Sequence, residues 1–324
     1  MNNSIKPPKL KHGDTVGIIS PSSPITKDLL PQFNKGIKTL EKWGLQIKIG
    51  PHVFDKYYYS AGKREDRIAD FNSMWDDPEV TMILMTLGGA TAMQLVNAID
   101  YENITKLPKI FAGISDGTIL LNAINAKTNL VTFHGPDLMF TFGQKITPMV
   151  QENIIATFFK GNIELLKPNS YWKYEKDPNL KYTGWKWLRE GTATGQLVGG
   201  HTNCLLQLLY AGYGPDVQGK ILFLEGTGGI NGLDRQFTSM RLHGVFDKIA
   251  GLILGWFDDH TLADKEQTRE VGETILEITE DYSFPILEIG ELGHNVENYV
   301  LPIGCQATID SETNSFSIDE KTVI

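Results

Sequence analysis

Along the first part of the chain, apolar residues follow two alternating patterns. Short apolar runs end at glycine, proline or serine, and longer segments between them repeat apolar positions every three or four residues. The runs predict buried strands, and the segments predict helices with one apolar face. The predicted strands are 15–20, 45–49, 80–87, 109–113 and 130–133, and the predicted helices are 27–43, 62–76, a segment ending at 99 and a segment beginning after 116. Strands that alternate with helices predict an α/β fold with a mostly parallel sheet and flanking helices.

The pattern changes between residues 141 and 190. A predicted helix at 147–159 is followed by SYWKYEKDPNLKYTGWKWLREG, which is too rich in aromatic residues for a plain linker. Alternation then returns, with predicted strands 220–224, 249–257, 285–289, 299–303 and 305–309 and predicted helices 205–210, 233–243 and 264–280. We therefore expect an N-terminal domain at 1–160, an aromatic-rich connection at 161–190 and a smaller C-terminal α/β domain at 191–324.

Composition narrows the class of protein. The chain has 324 residues, 41% of them hydrophobic, and a formal net charge of −9, which argues against a nucleic-acid partner. Neither a signal peptide nor an apolar stretch long enough to span a bilayer is recognisable, so we expect no membrane association. Cys204 and Cys305 are too few for a disulfide framework or a metal set, and we expect reduced thiols in a cytoplasmic protein without metal or cofactor.

Ser115 stands at a turn where a predicted strand ends and a predicted helix begins, in the sequence KIFAGISDGTILLNAI at 109–124. A hydroxyl at such a turn lies beside the unpaired N–H groups of the first helical turn, which carry the positive end of the helix dipole. The same groups can stabilise the oxyanion that a nucleophilic serine creates. The alternative is that Ser115 or Asp116 only caps the helix.

A serine nucleophile needs a base, and the base needs a group that orients it. His294 follows a predicted strand in a loop without apolar periodicity, and Glu225 is a charged residue at the end of an apolar strand. His134, in the turn after strand 130–133, is a rival base. His201 opens a predicted helix, where a capping role is expected. These residues leave the choice of base open.

Several segments together resemble the LD-carboxypeptidase family of serine peptidases, which includes muramoyl-tetrapeptide carboxypeptidases and microcin C self-immunity peptidases. The matching segments are IISPSSP at 18–24, DRIADFNSMWDDPEV at 66–80, GISDGT at 113–118, TFHGPD at 132–137, GQLVGG at 195–200, GKILFLE at 219–225, LDRQFTSMRLHGVFDKIAGLILG at 233–255 and GHNVENYVLPIG at 293–304.

The resemblance implies a two-domain fold with the active site in the cleft between the domains. It implies that Ser115 is the nucleophile, that His294 is the base and that Glu225 orients His294. It also implies an oxyanion hole made by the backbone N–H groups of Gly89 and Asp116, and a homodimer as the assembly.

The sequence departs from the family at three positions: Leu87 stands where an arginine is usual, Ile114 where a tyrosine is common, and His201 where an asparagine is common. These departures bear on substrate recognition. The first expectation is cleavage of an L,D amide bond next to a free carboxylate, in a small murein peptide.

The alternative substrate is a peptidyl or aminoacyl nucleotide. Trp185 and Trp187 are candidates for a stacking shelf under its base, although one could instead pack between the domains while the other snorkels to the surface. We assign Gly88 and His201 to substrate contact as well. A further alternative is a non-catalytic binding protein on the same scaffold. Another is an α/β-hydrolase, but the break in the strand–helix pattern at 141–190 argues against a single larger domain of that kind.

Overall fold

The structure is a computed structural model, and it describes residues 4–163, 165–170, 172–177, 179–258 and 269–324. Within these residues the chain forms two large sheets and one short hairpin. The hairpin pairs β3 (Lys56–Tyr57) with β4 (Ser60–Ala61).

The first sheet has the spatial order β14-β7-β6-β5-β1-β2. Its members are β1 (Thr15–Ile19), β2 (Gln46–Ile49), β5 (Val80–Met85), β6 (Ile110–Gly113), β7 (Thr132–His134) and β14 (Leu301–Ile303). The five strands from the N-terminal half are parallel, and β14 joins the edge antiparallel to β7. The mostly parallel sheet expected from the sequence is therefore confirmed, and its edge comes from the other end of the chain.

The second sheet has the order β8-β16-β15-β10-β11-β12-β13-β9. Its members are β8 (Leu165–Leu166), β9 (Lys186–Arg189), β10 (Thr192–His201), β11 (Ile221–Thr227), β12 (Gly251–Asp258), β13 (Ile286–Gly293), β15 (Gln306–Asp310) and β16 (Ser315–Ile318). Strands β10 to β13 are parallel, and antiparallel strands extend both sides. Two of the eight, β8 and β9, come from the segment 161–190.

Helices cover both sheets. They are α1 (Leu30–Lys42), α2 (Arg64–Asp76), α3 (Tyr101–Lys106), α4 (Gly117–Thr128), α5 (Pro148–Ile154), α6 (Thr202–Tyr210), α7 (Ile230–Leu242) and α8 (Val271–Ile278). The predicted helix ending at 99 is a 3-10 helix at Ala92–Ala98, and the second half of the predicted helix 147–159 is a π-helix at Ile155–Lys160. Part of the predicted helix 264–280 lies outside the described residues. Helix α3, the β3–β4 hairpin and the edge strands β8, β9 and β16 were not predicted from the sequence, because such short elements carry little periodicity.

Helix α4 lies between the two sheets, and ten of its residues are buried. Asn122 Nδ2 donates to the carbonyl of Gly199 (2.8 Å), and the N–H of His201 donates to Thr118 Oγ1 (2.9 Å). Gly200 has φ +134°, and a Cβ atom there would lie 2.4 Å from Thr118 Oγ1. The glycine pair that ends GQLVGG thus lets the helix following Ser115 touch the second sheet.

One apolar core runs from the first sheet to the inner face of the second, and another fills the outer side of the second sheet. Among the described residues, no helix combines the length and the apolar character needed to cross a bilayer. This arrangement brings the carboxyl ends of both sets of parallel strands to one cleft, where ligands of α/β folds bind.

Candidate active site

Ser115 occupies a strained turn between β6 and α4. Its φ is +61°, a left-handed conformation that costs a non-glycine residue about 1–2 kcal/mol. Ser115 is half-buried, and Gly88 packs against its side chain. A Cβ atom at position 88 would lie 2.8 Å from Ser115 Oγ and 3.3 Å from the Asp116 nitrogen. Only glycine fits there without displacing the serine, which explains the Gly88-Gly89 turn.

Two backbone N–H groups flank the serine without bonding acceptors among the described residues, those of Gly89 and Asp116. The next two N–H groups are occupied, because Gly117 bonds the Ile114 carbonyl and Thr118 bonds the Ser115 carbonyl. Free N–H groups beside a hydroxyl are the donors that an oxyanion requires.

Glu225 lies in β11 and is wholly buried. The pairing of β11 with β12 shifts register between Leu224 and Gly226, and such an irregularity re-aims a side chain. His294 directly follows β13 and keeps 23% of its side chain exposed. Its Nδ1 lies 2.7 Å from Glu225 Oε2. An N–H at Nδ1 that donates to the carboxylate leaves Nε2 free to accept a proton.

The electrostatics of this pair favour the charged forms. Burial alone would raise the pKa of Glu225, but His294 and His134 outweigh it and hold the pKa well below its usual range. Burial alone would lower the pKa of His294, but the charge and hydrogen bond of Glu225, with Asp258 and Asp137 nearby, raise it above its ordinary value. The imidazolium is therefore stabilised where it would form.

His134, the rival base, is wholly buried at the end of β7. Its Nε2 lies 3.7 Å from Glu225 Oε1, and its ring packs edge-on against Phe223 at 5.3 Å. A ring closed off from solvent cannot meet a substrate in the cleft. The structure places His134 behind Glu225 and places His294 on the open side.

His201 stands at the N-cap position of α6, where its side chain makes no capping hydrogen bond, and its backbone pairs with Glu225 across the β10–β11 register. Its ring lies 5.6 Å from that of His294, and its Nε2 lies 3.4 Å from Thr227 Oγ1. Burial lowers its pKa, although Glu225 opposes the shift. The structure thus brings His201 into the same group as Glu225 and His294.

A cavity of about 260 Å³ adjoins His294. Ile114, Phe140 and Asn298 line its wall together with Lys145 and Lys173, and Phe140 is 54% exposed. Phe140 and the two lysines were not predicted from the sequence as site residues. The sequence pattern around these three residues gives little indication of a site, because they lie in segments without regular periodicity.

The structure does not place Trp185 and Trp187 on the wall of this cavity. Trp185 Nε1 donates to Glu291 Oε2 (2.9 Å), and Trp187 Nε1 donates to Asn314 Oδ1 (2.9 Å). Both rings pack against the core. These hydrogen bonds and core contacts fit a packing role for the two tryptophans better than a role as a stacking shelf.

The site consists of a strained serine turn, free N–H groups and a histidine bonded to a buried glutamate. In the described part of the chain, no group of His, Cys, Asp and Glu could hold a metal ion. A family model described as LD-carboxypeptidase N-terminal domain matches residues 16–135, and one described as LD-carboxypeptidase C-terminal domain matches residues 194–309. The chain belongs to the LD-carboxypeptidase family. As a member it is a serine peptidase.

Individual members of the family match nearly the whole chain. The microcin C7 self-immunity protein MccF of Escherichia coli is 31% identical, with 95% of this chain and 94% of that protein covered. A probable murein peptide carboxypeptidase of Bacillus subtilis is 30% identical, with 97% and 94% covered. The solved structure of MccF in complex with aspartyl sulfamoyl adenosine superposes with a TM-score of 0.89 at 28% identity, covering 99% of this chain and 100% of that one.

Proposed function

We propose that this LD-carboxypeptidase family member cleaves the L,D amide bond next to the free carboxylate of a small murein peptide. The main structural support is the 2.7 Å contact between His294 Nδ1 and the buried Glu225 carboxylate, in the cleft that also holds the strained Ser115 turn. The similarity to a murein peptide carboxypeptidase over almost the whole chain supports this substrate class.

In the proposed mechanism, Ser115 Oγ attacks the scissile carbonyl while His294 Nε2 takes its proton. Glu225 holds the imidazolium and its tautomer. The intermediate collapses when His294 returns the proton to the leaving amine, which departs as the terminal amino acid. Water then attacks the acyl-enzyme, again with His294 as the base, and releases the shortened peptide.

The N–H groups of Gly89 and Asp116 stabilise the oxyanion in both steps. Gly88 allows the carbonyl to approach the nucleophile closely, and His201 borders the same space. The free carboxylate of the substrate lies toward Lys145 and Lys173, which line the cavity beside His294. In this proposal the carboxylate lies away from Glu175 and Glu297, which line the same cavity, and the two lysines supply the positive charge that Leu87 does not.

The test of the catalytic assignment is Ser115→Ala. We expect loss of turnover and of labelling by a fluorophosphonate probe, with an unchanged melting temperature, measured on a murein tetrapeptide. Lys145→Ala/Lys173→Ala should raise KM about tenfold with a smaller change in kcat, since each charged hydrogen bond contributes about 1.5–3 kcal/mol when buried and less at an exposed site. Turnover by Ser115→Ala would contradict the nucleophile.

The second candidate is an amidase acting on aminoacyl nucleotide conjugates. The MccF complex with aspartyl sulfamoyl adenosine favours it, as does the exposed ring of Phe140 at the cavity rim, where a base could stack. Tetrapeptide and aminoacyl sulfamoyl adenosine should be assayed side by side with wild type and Phe140→Ala. Cleavage of the adenosine compound alone, lost in Phe140→Ala, would favour this candidate.

We also propose a cytoplasmic homodimer. Free Cys204 and Cys305 suit a reducing compartment, and the hairpin tip exposes Tyr58 (76%) and Tyr59 (70%), a surface that self-association could cover. Light scattering at micromolar concentration should give twice the chain mass, and Tyr58→Asp should reduce it to one chain. Recovery in the cytoplasmic fraction of the source cell would test the compartment.

A further inference from the structure

The carboxylate of Asp116, the residue after the nucleophile, is buried and does not point at the substrate cleft. Its Oδ2 accepts a hydrogen bond from Ser22 Oγ at 2.6 Å and one from the backbone N–H of Ala92 at 2.8 Å. Ser22 was not among the site residues predicted from the sequence, although Ser22 follows β1 at the same sheet edge as Ser115.

The same group of residues holds the turn that contains Gly89. The N–H of Thr91 donates to Ser22 Oγ (2.9 Å), and the N–H of Ser23 donates to the Gly88 carbonyl (3.1 Å). A Cβ atom at Gly89 would lie 2.3 Å from Ser22 Oγ. The turn is therefore fastened on both sides of Gly89 and packed directly against the Ser22 hydroxyl.

Arg67 adds further hydrogen bonds to this network. Its Nη1 donates to the Pro21 carbonyl (3.0 Å) and to Thr91 Oγ1 (2.8 Å), and the side chain is buried. The arginine thus joins the chain before Ser22 to the turn that follows Gly89, and its charge faces that of Asp116.

We propose that the side chain of Asp116 is a positioning residue that sets the distance between the two oxyanion donors. Its own N–H is one donor, and its carboxylate fixes, through Ser22 and Ala92, the turn that carries the other donor at Gly89. A single residue thus couples the nucleophile turn to the glycine turn. This inference rests on the proposed function, because it assumes that these two N–H groups stabilise the oxyanion.

The test compares Asp116→Ala, Asp116→Asn and Ser22→Ala with wild type. The readouts are kcat and KM on a murein tetrapeptide, the rate of fluorophosphonate labelling, and the melting temperature. Asp116→Ala and Ser22→Ala should lower kcat and the labelling rate about tenfold to hundredfold, with KM within about twofold. The reason is that a displaced donor stabilises the oxyanion of the transition state less well, whereas binding of the substrate in its ground state changes little.

Asp116→Asn should retain kcat within about fivefold. In the place of Oδ2, its amide oxygen can accept from both Ser22 Oγ and the N–H of Ala92, and its NH₂ takes the place of Oδ1, which lies 4.0 Å from Cys204 Sγ. The matched control is Thr157→Val, which removes a buried hydroxyl bonded to the Asn153 carbonyl (2.7 Å), does not line the cavity beside His294 and should leave kcat unchanged.

The outcomes separate this inference from the proposed function. Absence of fluorophosphonate labelling in wild type would overturn the proposed function itself. Normal wild-type labelling with kcat of Ser22→Ala and Asp116→Ala within twofold of wild type would overturn the positioning role alone. Equal loss in Asp116→Asn and Asp116→Ala would also overturn it, because the negative charge rather than the hydrogen bonds would then be responsible.

Discussion

Replacing Glu225 by glutamine tests the pair that orients the base. Glutamine keeps the size of the side chain and an oxygen that can accept from His294 Nδ1, but it removes the charge that faces the imidazolium. Glu225 is wholly buried, whereas His294 is partly open, so an intermediate effective dielectric applies. Two unit charges about 4 Å apart interact by ~4 kcal/mol at an effective dielectric of 20. Loss of that interaction predicts a fall in kcat of about 10³-fold, since 1.36 kcal/mol corresponds to tenfold.

The pH dependence should change as well. His294 must be neutral to accept the serine proton, and its pKa is raised above its ordinary value. The kcat/KM of wild type should therefore rise with pH, with a midpoint above about 6.5, the usual histidine value. In Glu225→Gln the main raising influence is gone and burial lowers the pKa of His294, so the midpoint should move to lower pH.

The assay is cleavage of the tetrapeptide between pH 5 and 9, measured as the rate at which the terminal amino acid is released. Glu291→Gln is a matched control, because Glu291 is another wholly buried glutamate on β13 but bonds Asn169, Tyr182 and Trp185 rather than a histidine. That variant should lose stability and keep the wild-type midpoint. A Glu225→Gln protein with kcat within threefold of wild type and an unmoved midpoint would contradict the charge pairing of Glu225 with His294.

Three further substitutions have expected outcomes on stability. Gly200→Ala should lower the free energy of unfolding in urea by more than ~2 kcal/mol, because its Cβ would meet Thr118 Oγ1 at a positive φ. Gly232→Ala, whose Cβ would lie in open space within α7, should instead raise the free energy of unfolding by about 0.5–1 kcal/mol. Equal effects of the two would contradict the close approach of α4 to β10. Trp185→Phe should cost about 1–2 kcal/mol by leaving Glu291 with one donor fewer and should leave KM unchanged. A raised KM at wild-type stability would instead place Trp185 in the substrate site.

Local patterns predicted much of the architecture. Apolar runs alternating with amphipathic segments predicted the parallel sheet, and the strand–turn–helix signature around Ser115 predicted the position that α4 confirms. Glu225 was recognisable because a charge at the end of an apolar strand is costly unless it is paired. The edge strands, the hairpin and the switch to π-helix at Ile155–Lys160 were not, because they depend on contacts with distant segments.

The choice of partners was decided by the tertiary structure. His134 and His294 both follow predicted strands, and the residues alone left both open as the base. Packing of β7 against β11 buries His134 behind Glu225, while β13 delivers His294 to within 2.7 Å of the same carboxylate on the open side. The indole of Trp185 has a partner that no local pattern identifies. Periodicity determines which face of an element is buried, but hydrogen-bond partners depend on distances of a few tenths of an ångström, which only the packing of the two sheets around α4 sets.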